Sequence, residues 1–387
     1  MRLMRLPPST RALAVFAALL ALAAAQAGAQ APPASRSAPA ATDRLDALRA
    51  RAEQGDASAQ LDLGLMYAIG RGVPRDYAQA SAWYRRAAEQ GNALAQLNLG
   101  WCYASGLGVP LDLAEAAAWY RKAAEQGEST AQVKLGSLYA SGDGVSKDEA
   151  EAAAWYRKAA DQGDATAQLR LGLALANGRG VPKDEAHAVA LFRQAAGQGK
   201  AQAQFMLGVM LEHGRGVGVN LPEAARWYRR AAEQDDVTAQ LNLGACYELG
   251  RGVAQDYAQA LAWYRRAADQ GEARAQANLG HAYASGRGVA QDYTQAAAWY
   301  RRAADQGHAP SQYELADLYA RALGVQRSDI EASRWLLVAE SRAQSAEERA
   351  TYAAARERLA RRMTAPQITE AQRLAREWLE KFSRTSK

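Results

Sequence analysis

Residues 56–91 read D-A-S-A-Q-L-D-L-G-L-M-Y-A-I-G-R-G-V-P-R-D-Y-A-Q-A-S-A-W-Y-R-R-A-A-E-Q-G, and they decide the fold because the chain repeats them. A glycine stands directly before nearly every copy, at a spacing of 36 residues, and Asp235 is the one exception. The glycines are Gly55, Gly91, Gly127, Gly163, Gly199, Gly271 and Gly307. Self-similarity at this period is the signature of a repeat solenoid. We therefore predict an all-α solenoid of αα-hairpins.

Each unit divides into two helices. In the first half, Ala59, Leu63 and Tyr67 recur at four-residue spacing, which predicts one apolar helix face. A G-x-G-V turn follows, and its first glycine, Gly70 in the first unit, adopts the left-handed conformation that ends a helix at little steric cost. The eight predicted units span residues 56–91, 92–127, 128–163, 164–199, 200–235, 236–271, 272–307 and 308–343.

The second helix of each unit opens at a residue whose side chain can accept a backbone N–H. These predicted N-caps are Asp76, Asp112, Asp148, Asp184, Asn220, Asp256, Asp292 and Ser328. Three residues later, a side chain able to return the hydrogen bond predicts a capping box in every unit except the one with His187. These seven side chains are Gln79, Glu115, Glu151, Glu223, Gln259, Gln295 and Glu331.

One hairpin cannot bury both of its apolar faces, so the units are expected to stack. Tryptophans at one position of the second helix are predicted to fill the layers between units, at Trp83, Trp119, Trp155, Trp227, Trp263, Trp299 and Trp335. A capping helix over residues 43–55 is expected to cover the first unit. Further helices within residues 344–387, opening at Ser345 and Thr364, are expected to cover the last.

Eight copies of L-G-x-x-Y, G-x-G-V and A-x-W-Y-R-x-A-A closely resemble the Sel-1-like repeat family, a branch of the tetratricopeptide-like helical repeats. The resemblance covers nearly everything from Asp43 to the C terminus. It implies a right-handed superhelix whose first helices line a concave groove, and an adaptor for protein complexes in bacterial envelopes, secretion and signalling, or host contact. Cysteine-rich relatives, to which a β-lactamase-like activity is attributed, staple each hairpin with a disulfide, and this chain lacks that pattern.

Residues 1–29 have the features of a secretory signal peptide, namely three arginines, an apolar run over residues 12–25 and an Ala27-Gly28-Ala29 cleavage site. The run is shorter than the roughly 20 residues that a spanning helix needs, and no other stretch approaches it, so we predict no membrane span. Residues 30–42, rich in Pro, Ala and Ser, are predicted to be a flexible leader. We expect a periplasmic or secreted protein.

The net charge does not indicate nucleic-acid binding, since +6 falls to +3 once Arg2, Arg5 and Arg11 of the signal peptide are removed. Basic pairs near the end of the second helices begin at Arg85, Arg121, Arg157, Arg229, Arg265 and Arg301. A carboxylate four residues beyond each of these arginines is expected to neutralise most of the charge, at Glu89, Glu125, Asp161, Glu233, Asp269 and Asp305. We predict a solvated, ion-paired face and no nucleic-acid partner.

The histidines and cysteines show no pattern typical of catalysis. Neither nucleophile nor metal-ligand spacing links His187, His213, His281 and His308. Cys102 and Cys246 lie at equivalent positions four units apart, beyond the about 7 Å between Cα atoms that a disulfide tolerates, and are predicted to be buried free thiols. No cofactor, metal site or catalytic residue is predicted. A hydrolase is a less favoured hypothesis than a binding protein.

The residue just before Leu-Gly in the first helix varies most in chemistry between units. With the positions three and seven residues later it forms a stripe that we expect to face solvent. Asn98, Lys134 and Arg170 share the first position in consecutive units, where they would hold an extended peptide or its carboxylate, with Trp101 as an apolar anchor. The candidate partner-binding residues are Asn98, Trp101, Lys134, Arg170, His213, Asn242, Asn278, His281, Asp317 and Arg321.

We therefore predict a monomeric scaffold that binds a protein or peptide partner in this groove. The alternative ligand is an envelope glycan or exopolysaccharide, stacked on Trp101 and exposed tyrosines. Units four and five depart most from the repeat, with Leu175 and Leu211 in place of tyrosine and Leu191 in place of tryptophan. These departures leave open a hinge or a specialised surface.

Overall fold

The computed structural model describes residues 38–385, and every regular element in that range is an α-helix. Helix α1 (Ala38–Glu53) comes first. The eight hairpins that follow are α2 (Ala57–Ile69) and α3 (Tyr77–Glu89), α4 (Ala93–Ser105) and α5 (Leu113–Glu125), α6 (Ser129–Ser141) and α7 (Glu149–Asp161), α8 (Ala165–Asn177) and α9 (Glu185–Gly197), α10 (Ala201–His213) and α11 (Leu221–Glu233), α12 (Val237–Leu249) and α13 (Tyr257–Asp269), α14 (Ala273–Ser285) and α15 (Tyr293–Asp305), and α16 (Ala309–Arg321) and α17 (Asp329–Arg342). Helices α18 (Ala346–Ala360) and α19 (Ala365–Thr385) come last. The predicted all-α repeat fold is confirmed.

The signal peptide predicted over residues 1–29 and the leader up to residue 37 lie outside the described residues. The leader was expected to extend to residue 42, whereas α1 already begins at Ala38. Alanine has the highest helix propensity, and proline is tolerated in the first turn, where its missing N–H has no helical partner. The A-P-A-A-T stretch can therefore extend the capping helix towards the N terminus.

The described residues form two compact units, which meet in sequence between Pro182 and Lys183. The N-terminal unit contains α1 to α8, and the C-terminal unit contains α9 to α19. The boundary falls inside repeat four, between its two helices. It thus lies in the part of the chain where the repeat pattern weakens.

All eight predicted N-caps of the second helices accept a backbone N–H, as Asp76 does from Ala78 and Gln79. The first glycine of the turn is also left-handed as predicted, with φ of 73° at Gly70. The reciprocal half of the capping box is wrong within the repeats. The N–H of Asp76 donates instead to the Tyr67 carbonyl at 2.9 Å. That carbonyl lies in the last turn of α2 and lacks a helical partner, so the returning chain satisfies it.

Within each hairpin, the glycine of L-G-x-x-Y lets an aromatic ring lie directly on the first helix. A Cβ on Gly64 would lie 2.7 Å from the ring of Tyr84, closer than van der Waals contact allows.

A buried glutamine links successive layers: Gln60 donates to the Ala52 carbonyl at 3.0 Å and accepts from Gln90 at 2.8 Å. Both polar ends of this buried amide are satisfied, which stabilises one register between neighbouring repeats.

The tryptophans that recur at one position of the second helices are mostly core residues, as predicted. Five are buried, namely Trp83, Trp119, Trp155, Trp299 and Trp335. Trp119 of the second repeat packs with Leu61, Tyr84 and Leu99, so it joins two repeats. The prediction is wrong for Trp227 and Trp263, which are only half-buried. Trp227 instead donates its indole N–H to Glu223 at 3.3 Å, which keeps that edge near solvent.

His308 caps helix α16, where its Nδ1 accepts the backbone N–H of Ser311 at 3.3 Å. Burial, followed by the nearby Arg274, lowers the pKa of His308 below its usual 6.5, although Glu272 and Glu348 oppose the shift. Because the folded protein binds this proton less readily than the unfolded chain, its stability should be full above about pH 6.5 and should decline as the pH falls. Urea unfolding between about pH 7.5 and 5.5 should show a loss of up to about 1 kcal/mol, the contribution of one N-cap.

The matched control for this pH dependence is His308→Asn, which keeps an N-cap acceptor but cannot titrate. The variant should remain capped at pH 7.5 and should lose less stability than the wild type over the same pH range. Equal slopes in the two proteins would assign the pH dependence to groups other than His308.

Candidate partner-binding surfaces

In the N-terminal unit, two of the predicted stripe residues are accessible. Lys134 on α6 and Arg170 on α8 are exposed, and Trp101 on α4 is half-buried against two core clusters. The prediction that the stripe faces solvent is wrong at Asn98, because only 8% of this residue is exposed. A neutral amide can be buried at lower cost than a charged group, whereas lysine and arginine keep their charged ends in water. Of the three hydrogen-bond donors predicted to be accessible, only Lys134 and Arg170 are exposed.

In the C-terminal unit, the predicted residues differ in depth. His213, His281 and Arg321 are exposed, whereas Asn242, Asn278 and Asp317 are half-buried. Arg321 forms an ion pair with Asp317 at 3.0 Å, one helical turn away on α16. Asn278 and His281 on α14 lie together at a narrow cleft, beside Tyr264 of α13.

Two tyrosine–glutamate hydrogen bonds near this stripe were missed in the sequence. Tyr228 donates to Glu212 at 2.6 Å, and Tyr264 donates to Glu248 at 2.6 Å. Burial, and then the hydrogen-bonded carboxylate, raises the pKa of each tyrosine well above its usual 10. The only signal was a glutamate in place of alanine one residue before the end of the first helix, in repeats five and six. These phenols stay neutral and act as donors.

A cleft of about 330 Å³ lies between α16, α17 and α18 in the C-terminal unit. Its lining combines the buried Leu336 and Leu359 with Asp317 and Arg321 of the predicted stripe. Arg358 and Arg362 complete the rim, and neither was predicted because α18 lies outside the 36-residue repeat. The basic run R-E-R-L-A-R-R over residues 356–362 was the available signal.

The basic pairs do not form the predicted ion pairs. Among residues 38–385, none of the six expected carboxylates is paired with its arginine. The first member of five of the six pairs instead reaches the next repeat, as Arg85 does when it donates to the hydroxyl of Tyr103. The second stacks on its own helix, with Arg86 lying 4.5 Å from the ring centroid of Trp83. The first cation thus joins two repeats through a phenol, whereas the second stays on its own helix over an indole ring.

The two cysteines are buried and free, as predicted. Burial raises the pKa of the Cys102 thiol to about 12. It also raises that of Cys246 to about 11, with a smaller contribution from Glu212. Since the thiolate is the nucleophilic form, neither side chain is activated at neutral pH.

Within the described range, no three His, Cys, Asp or Glu side chains converge in a way that could hold a metal ion. None of the helices between residues 38 and 385 is both long and apolar enough to cross a membrane.

Stacked αα-hairpins with variable side chains on their first helices define a helical-repeat protein of the class that generally serves as a protein–protein interaction scaffold. The Sel1 repeat model matches residues 57–92, 93–128, 129–164, 165–200, 201–236, 237–272, 273–308 and 309–339. The chain belongs to the Sel1 repeat family, whose solenoids are generally non-catalytic. No curated protein matches the chain.

Two solved structures show the same architecture. A Sel1 repeat protein from Oxalobacter formigenes is 38% identical, with 79% of this chain and 89% of that chain covered and a TM-score of 0.63. The protein c5321, a protective antigen present in uropathogenic Escherichia coli strains and displaying an SLR fold, is 31% identical. That alignment covers 87% of this chain and 95% of the antigen, with a TM-score of 0.54.

Proposed function

We propose that this chain is an exported adaptor that binds a protein or peptide partner along the exposed stripe of its first helices. One observation carries the proposal. Lys134 and Arg170, which differ in chemistry from their counterparts in other repeats, are exposed, whereas the leucines next to them in sequence, Leu135 and Leu171, are almost completely buried. The repeated leucines are thus buried, while the variable residues Lys134 and Arg170 remain available to a ligand.

Export is part of the proposal and is supported by the sequence of residues 1–29, with its basic start, apolar run and Ala-x-Ala site. An adaptor rather than an enzyme agrees with the inactive state of both thiols, whose pKa values lie far above neutrality. A peptide is favoured over a glycan because Trp101, the expected stacking platform, is half-buried and packs against two core clusters.

The test is to capture a partner with residues 30–387, identify it, and measure its affinity for Lys134→Ala/Arg170→Ala. We expect affinity to fall about tenfold or more, because hydrogen bonds to charged groups contribute about 1.5–3 kcal/mol each. Isothermal titration calorimetry with the purified partner would measure the change.

The matched control is Arg157→Ala/Lys158→Ala, which removes one arginine and one lysine from α7, the second helix of the repeat that contains Lys134. It should bind as the wild type does. Equal loss in both double variants would indicate a general charge effect, and unchanged affinity in the stripe variant would place the partner elsewhere.

A further inference from the structure

The cleft between α16, α17 and α18 has an apolar floor. Leu336 and Leu359 are each 5% exposed, and Ala316 is buried beside them. The volume, about 330 Å³, is near the lower end of the range found for ligand pockets. It accommodates one large apolar side chain with its backbone atoms, and it is too small for a long extended segment.

The rim of the same cleft is positively charged, with three arginines and one aspartate among the lining residues. Arg321 is paired with Asp317 at 3.0 Å. Arg362 is held by Asp329 at 2.8 Å and by the Ala320 carbonyl at 3.2 Å. Among the residues that the structure describes, the guanidinium of Arg358 forms no hydrogen bond or ion pair. An exposed, unpaired guanidinium at the edge of an apolar floor is suited to bind a carboxylate through two parallel hydrogen bonds.

An apolar group and a carboxylate must therefore enter one small space together. In an extended peptide, neighbouring side chains point in opposite directions, so an acidic residue next to an apolar one would not place both groups in the cleft. At the end of a chain, the α-carboxylate and the last side chain branch from the same Cα atom. A C-terminal apolar residue meets the requirement with a single residue.

We propose that this cleft binds the C-terminal residue of a partner polypeptide, with its apolar side chain on Leu336 and Leu359 and its α-carboxylate on Arg358. The proposal rests on the adaptor function and specifies one of its ligands. It predicts a preference for chains that end in leucine, or in another apolar residue of similar size, over chains that end in a charged residue.

The experiment uses the full chain and the peptide acetyl-Ala-Ala-Gly-Leu, with either a free carboxylate or a C-terminal amide. Ligand-observed NMR titration should show binding of the acid and at least about tenfold weaker binding of the amide, as expected when a charge-assisted hydrogen bond is lost. Arg358→Gln should weaken binding of the acid about tenfold and leave the amide unchanged. The control Arg361→Gln removes the same charge from an exposed neighbour that does not line the cleft, and should bind as the wild type does.

Equal binding of acid and amide, equal effects of the two arginine variants, or no binding of the acid would each overturn the proposal. A peptide that ends in lysine and binds as well as the leucine peptide would also overturn it. Lys134→Ala/Arg170→Ala should leave binding of this peptide unchanged. Failure of the cleft is thus distinguishable from failure of the adaptor function, which depends on the stripe.

Discussion

Replacing Gly108 with alanine should lower the free energy of unfolding of the N-terminal unit by about 3–5 kcal/mol, a loss expected from a backbone collision combined with strain. Gly108 is the second glycine of its G-x-G-V turn, with φ of 73°. A Cβ at this position would lie 1.9 Å from the carbonyl oxygen of Tyr77, at the start of the preceding repeat's second helix. Backbone cannot move aside as a flexible side chain can, so the contact between the two repeats must open. Urea unfolding followed by circular dichroism would measure the loss.

The matched control is Gly91→Ala. Gly91 also has a positive φ, 90°, but a Cβ there would find no atom within 4 Å. Its substitution should cost only the about 1–2 kcal/mol of left-handed strain. The difference between the two variants isolates the collision, and equal losses would show that close approach of the repeats is not what requires glycine at Gly108.

Replacing Trp335 with alanine should destabilise the C-terminal unit by about 3–5 kcal/mol, as is usual for truncation of a fully buried aromatic side chain. Trp335 is 0% exposed and packs with Tyr300, Leu315 and Leu359. Its ring also meets Trp378 of α19 edge to face, with the centroids 5.9 Å apart. The truncation would thus remove one of the contacts that hold the last helix. Unfolding in urea should show the loss, and hydrogen exchange in α18 and α19 should accelerate.

Trp227→Ala is the control for Trp335→Ala, because Trp227 occupies the same repeat position but is only half-buried. Its truncation removes less apolar area from the core and should cost roughly half as much. If both variants lost the same stability, burial at this position would not explain why the last repeat depends on its tryptophan.

The two proposed binding surfaces are suited to different partners. The stripe offers long cations on rigid helices, at Lys134 and Arg170, and is suited to an extended or folded surface with negative charge. The cleft beside α18 offers one unpaired guanidinium over an apolar floor and is suited to a chain end.

Features that depend on neighbouring residues were predictable from the sequence. The repeat period, the ends of the helices at Gly70 and its copies, and the N-caps from Asp76 to Ser328 all follow from interactions within a few residues. The burial of Cys102 and Cys246 was predictable as well, because eight copies of one unit show which positions stay apolar. Periodicity and capping are local, so the sequence carries them directly.

The tertiary structure decided every feature that depends on contacts between helices. The Asp76 N–H binds Tyr67 instead of Gln79, and Arg85 binds a tyrosine 18 residues away instead of a nearby carboxylate. Asn98 is buried although Lys134, at the same repeat position, is exposed. For Asp76 and Arg85, the observed partner belongs to another helix, and packing rather than sequence separation sets its distance. For Asn98 and Lys134, packing sets how deeply each side chain is buried.

The sequence by itself thus determined that the chain is an all-α array of eight hairpins and which stripe of the first helices varies. Only the tertiary structure decided which residues of that stripe reach solvent, and that Arg358 of a helix outside the repeats forms a cleft with Arg321. The physical reason is that hydrogen bonds along one helix depend on local spacing. The depth of a side chain, and the partner of a cation, depend on how close the next helix packs.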